Sequence, residues 1–155
     1  MKLALYTADS ASVDDRSKAY ALGLGWTYIY SPTPPMALLA FIELDPEEVP
    51  AEILIHVELV DSQDRLVHFP SPQDGDQQTP PVMVDGKVVA PALDDTYGGQ
   101  PIRVPFVVQL GPLVMDPGIY SFRAVLTRKD RDESVEASQH FQVRARAETP
   151  PNNST

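Results

Sequence analysis

The chain has 155 residues, a formal net charge of −10 at pH 7, 16 prolines and no cysteine. That length suits one domain, and a hydrophobic share of 43 % argues against global disorder. Proline stands at about twice its usual share of roughly 5 %, which argues against a helical bundle, because proline clashes with the preceding turn and lacks the N–H that a helix needs.

The acidity disfavours nucleic acid and anionic membrane surfaces as partners, since both are bound through basic side chains. Its simplest reading is solubility. The absence of cysteine removes disulfides, thiolate metal sites and cysteine nucleophiles together. No segment reads as a targeting signal and no run of eighteen apolar residues occurs, so the expectation is a cytoplasmic protein of a bacterium or of a phage-infected host.

In chain order, period-2 alternation dominates. A first strand is predicted over Lys2–Thr7. A short helical turn follows over Ser12–Ala19, capped by Ser12 or Asp14. Strands are predicted over Tyr20–Tyr30, Ala37–Leu44 and Glu52–Val60. In the last of these, Ile53, Ile55, Val57 and Leu59 share one face. Residues 70–81 read as a polar, turn-rich loop, Asp85-Gly86 as the two-residue turn of a small hairpin, and 91–101 as a second loop. Arg103–Leu110 places Val104, Phe106, Val108 and Leu110 on one face. Pro105 lies on the other and marks an edge or a bulge. Gly118–Arg128 turns Tyr120, Phe122, Ala124 and Leu126 inward. The polar run Lys129–Glu133 is a hairpin tip leading to a strand over Gln139–Arg146. Residues 147–155 are expected to form a disordered tail.

Strands in such number, separated by turn signals, predict an all-β chain with little helix. The expected fold is a single β-sandwich of about eight or nine strands spanning 1–146. Asp116-Pro117-Gly118-Ile119-Tyr120-Ser121-Phe122 sharpens this to an immunoglobulin-like sandwich. A tyrosine at the start of a strand after a tight turn matches a tyrosine corner, with Phe122 in the place of the second cysteine.

The pieces Leu3-Ala4-Leu5-Tyr6-Thr7-Ala8-Asp9, Leu22-Gly23-Leu24-Gly25-Trp26, Pro32-Thr33-Pro34 and Leu110-Gly111-Pro112-Leu113 to Tyr120 carry a resemblance. Together they make the chain similar to a family of small uncharacterised bacterial all-β proteins, frequent in actinobacteria and seen in their phages. That resemblance implies one all-β domain and no particular reaction, and it carries over no catalytic residue.

The chemistry-bearing patterns point to no active site. Gly23-Leu24-Gly25 starts like a dinucleotide loop but lacks the third glycine and the following helix; bending the strand or admitting Trp26 is its simpler role, and Trp26 reads as core. No nucleophile elbow occurs. His56, His68 and His140 lack metal-ligand spacing. The acidic groups Asp14-Asp15, Asp45 with Glu47-Glu48, Asp74-Gly75-Asp76, Asp94-Asp95 and Asp130 with Asp132-Glu133 fit solvated turns better than a calcium site built from converging loops. No catalytic, cofactor-binding or metal-binding residue is therefore assigned, and no cofactor is expected. The expected function is a non-catalytic protein-interaction module that meets a partner, or a second copy, through its strand edges. A phage-particle component and a small-ligand or metal-binding sandwich or enzyme with a loop-built site are the alternatives.

Overall fold

The computed structural model describes residues 1–69, 79–94 and 98–146. They form ten strands: β1 (Lys2–Ala8), β2 (Ser10–Val13), β3 (Ala19–Leu22), β4 (Tyr28–Ser31), β5 (Met36–Leu44), β6 (Ala51–Asp61), β7 (Met83–Ala90), β8 (Ile102–Leu110), β9 (Gly118–Arg128) and β10 (Glu133–Ala145). The one helical element among these residues is a 3-10 turn over Pro46–Glu48. The strands make a three-stranded sheet β1-β5-β8, a five-stranded sheet β4-β10-β9-β6-β7 and a separate hairpin β2-β3. Every pairing is antiparallel except that of β4 with β10. The expected all-β class is present. The strand count is ten in three sheets, where eight or nine in one sandwich were expected.

Alternation builds the core. Met36, Leu38, Ala40, Ile42 and Leu44 of β5 and Val108 and Leu110 of β8 face the alternate residues of the larger sheet. Ile53, Ile55, Val57 and Leu59 of β6, Phe122, Ala124 and Leu126 of β9, and Phe141 and Val143 of β10 belong to the same buried cluster. Each large aliphatic or aromatic side chain so buried stabilises the fold by about 1.5–3 kcal/mol relative to exposure. An aromatic group holds one end. Phe141 stacks on Phe122 with ring centroids 5.4 Å apart and meets Trp26 edge-on at 5.3 Å. Trp26 packs against the core as expected. The Tyr120 hydroxyl donates to the Asp116 carbonyl at 3.0 Å, closing the Pro117-Gly118 turn.

Four expectations need correction. Tyr20–Tyr30 is two strands, β3 and β4, because Gly23 and Gly25 adopt positive φ (62° and 76°) and turn the chain between them. The positive φ at Gly23 favours glycine, and a Cβ there would displace the Asp9 carboxylate. Ser12–Ala19 is not helical: β2 and β3 form a hairpin whose turn closes on Asp14. One carboxylate oxygen of Asp14 accepts the N–H groups of Arg16 and Lys18, and the other accepts the Tyr20 hydroxyl. Asp85-Gly86 is not a turn, because β7 runs through it. Asp85 lies opposite His56, and Gly86 lies opposite Ile55, leaving room for the Phe106 ring, which a Cβ would approach to 2.8 Å. The last strand starts at Glu133, six residues before Gln139, because β9 offers a full-length partner. The loop prediction over 70–81 falls largely, and that over 91–101 partly, outside the described residues. The tail 147–155 lies wholly outside them.

Pro105 does sit on an edge strand. The Gly25 N–H bonds the Thr7 carbonyl at 2.7 Å, so Thr7 points away from β5. Antiparallel alternation then directs Lys2, Ala4 and Tyr6 toward β5, and Met36, Leu38, Ala40 and Ile42 from β5 toward β8. Pro105 pairs with Phe41, so its backbone faces away from β5 and its missing N–H costs no ladder bond.

Candidate interaction surface

The three-stranded sheet turns a second face outward. One half of it is covered: Ala8, Ala11, Ala37 and Leu39 form a small buried cluster where the β2-β3 hairpin folds over the sheet, with Val107 packed against it. The Gln109 amide donates to the Ala11 carbonyl and fastens the hairpin there. The other half is open. It forms a concavity of about 540 Å³ lined by Lys2, Leu3, Ala4, Tyr6, Leu24, Phe41, Glu43 and Arg103.

Strand geometry places these groups. Tyr6 on β1 and Phe41 on β5 meet edge-on, with centroids 6.3 Å apart. Leu24, between the two positive-φ glycines, is pushed out of the chain's path and is half exposed at the rim. At the far end Glu43 accepts Lys2 Nζ at 2.8 Å and Arg103 Nε at 2.9 Å. The Lys2 ammonium, then the Arg103 guanidinium, hold the Glu43 carboxyl below the usual carboxylate range. Both cations remain mostly exposed, at 73 % and 72 % of their side chains. Glu43 and, at longer range, Asp45 offset the two bases at this end. An apolar floor with a few charged groups at one end suits an apolar side chain with an acidic neighbour.

The outer face of the larger sheet is polar. His56 Nδ1 lies 2.7 Å from Asp85, and Nε2 lies 3.7 Å from Glu58. The bond to Asp85, opposed by partial burial and aided by Glu58, raises the His56 pKa above the usual histidine value. Arg123 donates Nε and Nη2 to Glu58 Oε1, and Nη1 to Asp64. His68 bonds the Thr79 carbonyl, and His140 lies exposed on β10. Among the described residues no three histidine or acidic side chains gather as a metal site would require.

Of the acids considered in sequence, Asp14, Glu48 and Asp130 serve local structure, and Asp61, not singled out there, does so too. Asp14 closes a turn. Asp61 accepts two backbone N–H groups and the Arg65 side chain. Asp130 pairs with Arg128, whose side chain is 1 % exposed and also donates to the Glu48 carbonyl at 2.8 Å. Glu48 in turn accepts the Asp45 N–H. Asp74, Asp76 and Asp95 lie outside the described residues. Sequence reasoning did not find the open concavity, because Tyr6 and Phe41 read there only as members of strands. The exposed Leu24 between two glycines was the one local signal of it.

No family model matches the chain, and no curated protein matches it. Four chains of solved structures do. One is the PmoD soluble domain from a Methylocystis species, 14 % identical, with a TM-score of 0.37 over 92 % of this chain and 90 % of that one. A likeness at that score carries no argument about fold or function. No helix among the described residues is long and apolar enough to cross a membrane.

Proposed function

We propose that the chain is a non-catalytic protein-interaction module on an immunoglobulin-like sandwich, acting in the cytoplasm of a bacterium or of a phage-infected host. Three features support the architecture. The order β10-β9-β6-β7 reproduces a G-F-C-C′ sheet, and β1-β5-β8 reproduces A-B-E. The Tyr120 bond to a carbonyl four residues upstream has the form of a tyrosine corner.

The observation that carries the functional reading is the half-covered outer face of the three-stranded sheet. A hairpin shields its alanine-rich half, with Phe41 half-buried against it, and leaves Tyr6 and Leu24 exposed beside Lys2 and Arg103. The partner is a protein that inserts an apolar side chain there and sets a carboxylate against the two cations. The test is co-purification of the C-terminally tagged chain from its native cell, beside a Tyr6→Ser/Leu24→Ser variant and a Val89→Ser control on β7. The reading predicts a stoichiometric partner retained by the wild type and the control and lost by the double variant. A partner profile unchanged by the double variant contradicts it.

A further inference from the structure

The geometry points to a saccharide-binding cup on the outer face of the five-stranded sheet, where the turn after β6 leans over it. This goes beyond the protein-interaction reading and uses a different surface. The cup is a concavity of about 340 Å³, near the lower limit of roughly 300 Å³ for ligand pockets, so it suits a small molecule or the end of a longer one.

Strand register builds the cup. Val60, Ser121 and His140 stand side by side across β6, β9 and β10, and Glu58, Arg123 and Ser138 form the next row. Opposed side chains in such rows lie about 4.5–5.5 Å apart at Cβ, close enough to meet one ligand. Both rows face outward, because the alternate residues Leu59, Phe122 and Phe141 are buried in the core. The turn over 61–65 closes when the Arg65 carbonyl accepts the Asp61 N–H at 3.0 Å. From this turn Asp64 reaches back over the sheet to accept Arg123 Nη1 at 3.1 Å. Ser62 of the same turn and Ile119 of β9, which is 58 % exposed, also line the cup.

The lining suits hydroxyl groups better than an ion. Its charges are already paired. Arg123 bonds Glu58 through Nε and Nη2 and Asp64 through Nη1, and Asp61 holds Arg65 at 2.7 Å. A charged ligand would have to compete with one of these pairs, and a neutral one does not. The polar groups left over both donate and accept. The Ser62 and Ser138 hydroxyls and the His140 ring make no hydrogen bond among the described residues. Ser121 is 7 % exposed, and its hydroxyl makes one long bond, 3.4 Å to the Phe122 carbonyl. It accepts no hydrogen bond among the described residues. A hydroxyl or a neutral imidazole can donate and accept at once, as a sugar hydroxyl does, whereas an ammonium only donates and a carboxylate only accepts. Arg123 keeps further N–H groups, and its bonds to Glu58 and Asp64 orient them before a ligand arrives. Ile119 offers apolar surface to the C–H face of a sugar ring.

The probes are the methyl glycosides of glucose, galactose, mannose and N-acetylglucosamine at tens of millimolar, with acetate and methylammonium as charged controls. The measurement is backbone amide chemical shift by NMR on the full chain. At least one glycoside is expected to shift Ser62, Arg123, Ser138 and His140 saturably, and more than either control does. Ser138→Ala/His140→Ala should weaken this binding about fivefold or more. Both positions are exposed, and unchanged shifts at Phe122 and Leu126 verify that the variant is folded. Ser134→Ala, farther along the same face of β10, should leave binding unchanged. The best glycoside is then set against its linear trisaccharide. Tighter binding of the trisaccharide makes the ligand part of a glycan chain, and equal binding makes it a free sugar.

No saturable shift at the cup with any glycoside, equal shifts from a charged control, or binding unaffected by Ser138→Ala/His140→Ala would overturn the inference. Tyr6→Ser/Leu24→Ser leaves the cup intact, so failure of the protein-interaction reading and failure of this one are read separately.

Discussion

Single side chains fasten the turns of this fold, and the clearest case is Arg128. Its guanidinium is buried at the junction of β9, the 3-10 turn and the β9-β10 tip, and it bridges Asp130 and the Glu48 carbonyl. Arg128→Ala removes both anchors and leaves a cavity around a buried carbonyl, and should cost about 2–4 kcal/mol in denaturant unfolding. His56 gives a pH signature. Its folded pKa lies above the unfolded value, chiefly through Asp85, so the protonated form stabilises the fold. That contribution is fully present below the unfolded pKa, near 6.5, and disappears as pH rises through the folded pKa. The stability advantage of wild type over His56→Gln should therefore be larger at pH 5.5 than at pH 9. An equal advantage at both values would remove the His56–Asp85 pair from the account.

Several strands are legible in sequence because one face alternates into the core. Glu52–Val60, Arg103–Leu110 and Gly118–Arg128 alternate because their inward residues meet the core, and their faces were assigned correctly. Legibility failed where a distant contact overrode a local preference. Asp85-Gly86 has the composition of a turn, yet Gly86 is there to admit Phe106 from another sheet. Ser12–Ala19 has helix-capping residues, yet the Asp14 carboxylate closes a hairpin. Pro105 tests the edge argument. Pro105→Ala should change stability by less than about 0.5 kcal/mol, since no ladder bond is gained. Val108→Pro, which removes the N–H facing Leu38 on β5, should cost about 3 kcal/mol or more. Equal costs would contradict the assignment of β8 as an open edge.

At the scale of the whole molecule, the sixteen prolines and the −10 charge take specific meanings. Most prolines stand between strands, and among the described residues many acids close turns or pair with cationic side chains. Against that background Tyr6, Phe41 and Leu24 line one concavity beside the Lys2–Glu43–Arg103 group. No single strand announces it, because it exists only when β1, β5, β8 and the Gly23–Gly25 turn come together. It is also where the account is most exposed to refutation. The most direct measurement is photo-crosslinking in the native cell from a benzoylphenylalanine placed at Tyr6, compared with one at Val89. The account predicts a discrete protein adduct from position 6 that disappears with Leu24→Ser, and none from position 89. The same adducts from both positions, or none from position 6, would contradict it.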